Sequence, residues 1–493
     1  MDYPTHLKYK QLMSSAADYS EREKFHFDVQ TLYKGGRHIE ARKADFLQKR
    51  LDEDAEVYKI RLERFVYTNI FASVLTRILS RFSTGEIFLS GISDSYADAW
   101  ARFRESTDGH GCDEHELVAE LLKHLLLYQD CHIQIDKPLS ESQPLNRAQE
   151  EAMGLDSATT IIYSPYELLA RGDDWYKFLV IEEVSQPFGE PLHKATWRFI
   201  DDEAIAEYTE IVELKDGKIV ALLTTGQRVP VVDALSIPIS SYRLHGFTGI
   251  PVVSRALPDE KYAAGQIYLK LKQHLAIENS LTDTAVSAGY VQRVFKPLQS
   301  NEDHYNLVDE DELKSDNAHM LKAESFKFEE LTGSSIQTNS DLLEKIEGQV
   351  ERLLCITGGA VSQGALVQSG ASKAMDQDDL KTLMIAYGRT ISSFYQDIMS
   401  LVAEAIGDTQ AEVSVAGLDS FDLGSLGDDV EQALALIPIQ ENVAPTAMRN
   451  LYVRISQQLS SNGTAAELEL IESQIPENFN QNVLPEGEQS PGQ

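Results

Sequence analysis

The chain has 493 residues, 42% of them hydrophobic and 25% charged, with a formal net charge of −34 at pH 7. This balance suits two to four globular units of about 150 residues each and excludes an intrinsically disordered chain. It also excludes a protein that coats nucleic acid by bulk charge, because an acidic surface repels phosphates spaced every ~1.7 Å along a duplex, so a DNA partner would have to be one the protein does not grip. Three cysteines, Cys112, Cys131 and Cys355, are too few and too scattered for a disulfide framework and point to a reducing compartment. Residues 1–10 lack the basic start and apolar stretch of a signal peptide. No run reaches the ~18 apolar residues of a membrane span, so the expectation is a soluble, intracellularly made protein. Asn462-Gly463-Thr464 has glycosylation spacing, which without secretion is a chance match.

The first elements are helical. Leu62, Val66, Ile70, Val74 and Ile78 recur every four residues and predict one helix of roughly five turns. A second helix is predicted over 113–128, with Leu117, Leu121, Leu122 and Leu125 inward. The period then changes to two at 131–136. After a polar loop at 140–157, strands are expected at 159–163, 176–184, 194–200, 207–214 and 218–225, with Asp216-Gly217 turning the last pair. Helical spacing returns from Pro258 to about 285, and again over 340–356 through Leu342, Ile346, Val350, Leu353 and Leu354. Between them, short apolar pieces separated by acidic loops predict a small α/β insert. A long helix follows from Lys373 to about Ile406, striped by Leu380, Leu383, Tyr387, Ile391, Phe394, Ile398, Leu401 and Ala405, with Gly407 as its stop. One strand at 412–415, three more helices between 429 and 473, and a polar tail complete the reading. The stripe of the long helix must be buried, either in its own subunit or against a neighbour.

Residues 355–372 carry no charge and contain Gly358, Gly359, Gly364 and Gly370. Connections in compact domains usually span ~2–8 residues, so a neutral segment this long implies a role beyond linkage. No signature of catalysis accompanies it. The P-loop ending and the GxSxG elbow are both absent, and Ser372 beside Lys373 has no identifiable base. Cys112, His115, Cys131 and His132 do not match a zinc knuckle, and in an alternating strand Cys131 and His132 point to opposite faces. The acidic clusters 201–203, 309–312 and 376–379 could hold magnesium, but solvated surface explains them, and the last sits in the first turns of a helix, where carboxylates are favoured.

The order of elements, together with 58–69 (YKIRLERFVYTN), 249–253 (GIPVV), 266–279 and Ile356-Thr357-Gly358-Gly359 leading to Ser369-Gly370-Ala371-Ser372, resembles the portal proteins of tailed bacteriophages over most of the chain. The resemblance implies an α+β, portal-like fold. Its parts would be N-terminal helices and a β-rich wing (1–257), a two-helix stem (258–285 and 335–356) and a small α/β clip (286–334). A tunnel loop (357–372), a long wing helix and strand (373–423), a helical crown (424–475) and a disordered tail (476–493) would follow. It implies a ring, typically of twelve subunits, at one capsid vertex of a virion assembled in the host cytoplasm. Double-stranded DNA would pass through the ring without sequence-specific contact. The partners would be the terminase large subunit, a head–tail adaptor, and the major capsid and scaffold proteins; no membrane partner, cofactor, metal or catalytic residue is expected. Val361, Ser362, Gln363, Gln368, Ser369 and Lys373 would line the tunnel, and Lys270 and Lys272 would face the stem channel. Asp309, Glu310, Asp311 and Glu312 would meet the motor and adaptor. Two other readings stand beside this one: an enzyme with a mobile Gly-rich lid at 357–372 and a metal on one acidic cluster, and a different virion building block.

Overall fold

The computed structural model describes residues 20–82, 87–138, 157–184, 192–215, 218–224, 227–230, 240–288, 292–297, 323–329, 334–354 and 370–419. The chain divides into two compact units, 1–421 and 422–493. Everything below concerns the first, so the crown and tail expectations lie outside the described residues. The fold is mixed, with helices and, among the described residues, antiparallel strand pairs, as expected for an α+β chain.

The N-terminal helices are α1 (Ser20–Lys34), α2 (Gly36–Ala41), α3 (Lys43–Phe46), α4 (Ala55–Glu63) and α5 (Ile70–Phe82). The single helix expected through Leu62 and Ile78 is therefore two, broken at 64–69. Asn69 ends the break by accepting the Ala72 N–H at 2.9 Å, an N-cap that restarts the helix. Phe71, Val74, Leu75, Ile78 and Phe82 of α5 are buried, whereas Leu62 and Val66 lie on a separate segment with a different partner. After α6 (Ala97–Glu105), helix α7 (Glu114–Tyr128) begins where predicted. The Asp113 side chain accepts the Glu116 N–H, and Leu117, Leu121, Leu122 and Leu125 are fully buried.

Two sheets follow. Strand β2 (Asp130–Asp136) lies between β11 (Val252–Ala256) and β3 (Thr159–Tyr163). Its alternation is legible, but both of its faces are buried. The polar residues on the second face find partners only in part: His132 Nδ1 lies 2.7 Å from Ser254 Oγ and Gln134 Oε1 accepts from Tyr163 at 2.6 Å, while Gln134 Nε2 is buried with no hydrogen-bond partner among the described residues. The larger sheet runs β4 (Leu168–Arg171), β5 (Trp175–Val184), β6 (Leu192–Asp201), β7 (Ala204–Lys215), β8 (Lys218–Thr224) and β9 (Gln227–Pro230). Strand β10 (Ser241–Leu244) shares the outer edge of β7 with β8. Register pairs Lys215 with Lys218, which leaves the two residues expected to form the turn between them. Ala195, Trp197 and Phe199 face one side of this sheet; Phe178 and Ile200 face the other and meet Tyr163 and Val252 of the three-stranded sheet. The Asp201 carboxylate accepts the N–H groups of Glu203 (3.1 Å) and Ala204 (2.8 Å), so one member of the first acidic cluster closes a turn.

The last elements are helix α8 (Ala263–Ala288), the antiparallel ribbon β12 (Gln292–Pro297) and β13 (Ala323–Glu329), helix α9 (Ser334–Leu353), helix α10 (Gly370–Ile406) and strand β14 (Ser414–Ala416), which pairs with β1 (Phe88–Ser90). Helix α10 takes in three residues that the sequence reading leaves in the preceding loop. Tyr387, Ile391, Phe394, Ile398 and Val402 are buried in the same core as α7 and α8. The alternative set out above is thereby decided: these residues are used up inside their own subunit. Gly407, at φ +83°, ends the helix as expected. Gly388 was not singled out by sequence, yet a Cβ there would lie 2.2 Å from the Leu418 carbonyl oxygen, so the chain can cross the helix only at a glycine. Beyond the helix, buried Asp408 accepts Ser93 Oγ (2.6 Å), Ser93 N–H (3.1 Å) and Trp100 Nε1–H (3.2 Å). Burial opposes its charge, but these hydrogen bonds prevail and hold its carboxyl below the ordinary range.

Candidate functional site: a paired-helix stalk and its strap

Helices α8 and α9 are the two legs expected of a stem, joined by the β12–β13 ribbon where a clip is expected. Apolar positions at helical spacing hold them together: Leu271 and Leu275 on the first leg, Ile346, Val350 and Leu354 on or just after the second, all buried in one cluster. A polar contact crosses the pair as well. His274 Nε2 lies 3.0 Å from Glu347 Oε1, and its Nδ1 lies 3.8 Å from Glu278 Oε2 one turn on.

The flank of α8 past His274 is covered by residues 50–68, which run along it as a strap. Arg61 forms an ion pair with Glu53 (2.6 Å) and reaches Asp283 of α8 (3.2 Å), where Arg50 also arrives at 3.2 Å. The hydrogen bond from Arg61 is the main cause that lowers the Glu53 carboxyl below its ordinary range. Asn279 grips both backbone polar groups of Val66, accepting its N–H at 3.1 Å and donating to its carbonyl at 2.9 Å. Glu278 accepts the Thr68 hydroxyl at 2.6 Å and its N–H at 3.1 Å. This explains the break between α4 and α5. The backbone groups of 66–68 are satisfied by α8 rather than by a continuing helix. Sequence analysis missed the strap, although a signal existed: Asn279 follows Leu275 by four residues, in phase with the apolar stripe, where an amide must find hydrogen-bond partners.

The other expected site residues are distributed as follows. Lys270 and Lys272 are both half-buried on α8 and, two residues apart, point about 160° from each other. Lys272 Nζ sits 5.4 Å from the Tyr268 ring centre, and Tyr268 donates to Asp28 at 3.0 Å. The two lysines therefore address different flanks. Val361, Ser362, Gln363, Gln368 and Ser369, the side chain of Lys373, and Asp309, Glu310, Asp311 and Glu312 lie outside the described residues. Cys131 is fully buried on one face of β2 while His132 serves Ser254 on the other, and burial pushes the Cys131 thiol up. Among the described residues no three His, Cys, Asp or Glu side chains gather as a metal ion requires, and no helix is long and apolar enough to cross a membrane.

No protein-family model matches this chain, and no curated protein matches it. Solved structures similar to it include the neck of an empty gene transfer agent particle, at 9% identity and a TM-score of 0.39, covering 82% of this chain and 95% of that one. The virion of a native gene transfer agent particle is another, at 11% identity and a TM-score of 0.36, covering 83% of this chain and 96% of that one. At TM-scores below 0.5 neither likeness decides what the chain does.

Proposed function

We propose that the chain is the subunit of a portal-like ring in a virion, a conduit through which double-stranded DNA enters and leaves without being held. The observation that carries this reading is the order and pairing of α8, the β12–β13 ribbon and α9, followed by α10. Two apolar-seamed legs with an insert at the tip stand directly before a neutral segment and a long helix buried in the body. The charge is consistent with it. Twelve such chains would carry roughly −400 formal charges, and a duplex beside that charge meets repulsion rather than capture, which favours sliding. The neutral residues 355–372 would stand closest to the DNA, small and uncharged enough to follow it without binding phosphate. The ribbon end would meet the terminase motor and later the adaptor. Packaging energy would come from the motor, and the chain would have no catalytic role.

The test is assembly. Purified full-length chain, alone and with scaffold protein, is imaged by negative stain across salt and protein concentrations. The reading expects closed rings with a central hole wide enough for a duplex, about 20 Å or more. A monodisperse monomer under every condition refutes it.

A further inference from the structure

Thr68, Glu278, His274 and Glu347 form one polar line across the stalk, from the strap through the first leg to the second. Thr68 gives its hydroxyl (2.6 Å) and its N–H (3.1 Å) to the Glu278 carboxylate. The same carboxylate faces His274 Nδ1 at 3.8 Å, and His274 Nε2 lies 3.0 Å from Glu347. The two inner members each have partners on both sides. Glu278 cannot follow the strap outward without withdrawing from the His274 ring, and the ring cannot follow Glu347 without turning from Glu278. Water is poorly placed to substitute, because His274 is 2% exposed beside Leu275 and one turn from Leu271, whose apolar cluster takes in Ile346 and Val350 of the second leg. A polar ring atom that loses its partner in such a seam is costly. A second route joins the same elements: Arg77 of α5, the helix that continues the strap, meets Glu351 of α9 at 3.2 Å. Arg77 is well exposed, so water and salt screen this pair and it contributes little.

We infer that Glu278 and His274 are a relay that couples the strap to the second leg, so that closure of the strap and pairing of the legs behave as one element. The strap lifts more readily when Glu347 no longer holds His274, and α9 opens more readily when Glu278 is lost. Both effects express a single coupling free energy and are therefore reciprocal. A displacement of α9 at the ribbon end would reach residues 66–68 by this line. The relay lies within one chain and does not depend on the ring reading.

Amide exchange on the full-length chain, read by mass spectrometry, tests it. Glu347→Ala removes only the outer end of the line, yet peptides covering 64–69 should exchange about fivefold faster, the lower end of measured couplings. In a Glu278→Ala background the same substitution should add nothing at 64–69, because the line is already cut. Glu278→Gln serves as the milder background should the alanine variant fail to fold. Conversely, Glu278→Ala should speed peptides covering 340–352 about fivefold. Arg77→Ala should change 64–69 less than about twofold, and peptides of α7 should not change in any variant. Four results would overturn the relay. They are unchanged exchange at 64–69 in Glu347→Ala, equal acceleration by Glu347→Ala with and without Glu278, an effect of Arg77→Ala as large as that of Glu347→Ala, and acceleration of α7 along with the rest. Whether the chain forms rings bears on none of them.

Discussion

Replacing Asn279 by alanine isolates the strap from everything else. The side chain makes two hydrogen bonds to the backbone of one residue, the N–H and carbonyl of Val66 at 3.1 and 2.9 Å, and a third to the Leu275 carbonyl at 2.8 Å. The third lies within the helix, where the carbonyl retains its backbone partner. Losing the other two leaves a half-buried N–H and C=O that water can reach once the segment lifts. At about 1 kcal/mol net for each bond, the strap should lose about 2 kcal/mol of local stability, roughly a 30-fold rise in opening. In a chain of this size a melting temperature would blur that change. Amide exchange read by mass spectrometry does not, and peptides covering 64–69 should exchange about 30 times faster while those covering α7 stay unchanged. Asn279→Asp keeps the acceptor for the Val66 N–H but sets a buried carboxylate oxygen against the Val66 and Leu275 carbonyls, so it should speed exchange at least as much as alanine. Unchanged exchange at 64–69 in the alanine variant would refute the claim that α8 holds this backbone.

Other outcomes follow from single contacts. Gly388→Ala places a methyl group 2.2 Å from the Leu418 oxygen and should lower the yield of folded chain and expose 407–419 to protease, whereas Gly348→Ala on α9, with open space around it, should not. Burial pushes the Glu167 carboxyl up to about 7 although it accepts the Ser164 N–H at 2.6 Å. Its folded value lies above its unfolded one, so its contribution is present below about pH 4.5 and is lost as pH rises toward and through 7. Glu167→Gln should therefore melt higher than the parent at pH 8, and the gap should close by pH 5. Deleting 361–368 should leave ring assembly intact and impair DNA packaging or retention; packaging at the parental level would refute the tunnel assignment.

Much of the fold was legible because its signals are local. Helix α7 has an Asp113 cap and a leucine period that any partner would bury, and β3 was expected at 159–163, where it lies. The stalk was legible for the same reason: two apolar stripes flank an insert, and their period specifies helices that need each other. Helix α1 was not foreseen, because the face it buries includes His26, Asp28 and Thr31, so no apolar period marks it. The missed strands β1, β4, β9 and β10, at three or four residues each, are too short for alternation to separate from chance, and β11, though as long as β3, reads Val-Val-Ser-Arg-Ala with no apolar–polar alternation.

Composition and period by themselves determined that this is an acidic, multi-unit α+β chain with two legs, an insert, a neutral segment and one very long helix. Only the tertiary structure decided where the helix through 62–78 breaks, which flank of the stalk is covered, and which apolar side chains remain outside. Those outcomes depend on contacts between residues more than 200 positions apart, Val66 with Asn279 and Thr68 with Glu278. Period reports which face of an element avoids water; it does not say which distant backbone will take a hydrogen bond from that face.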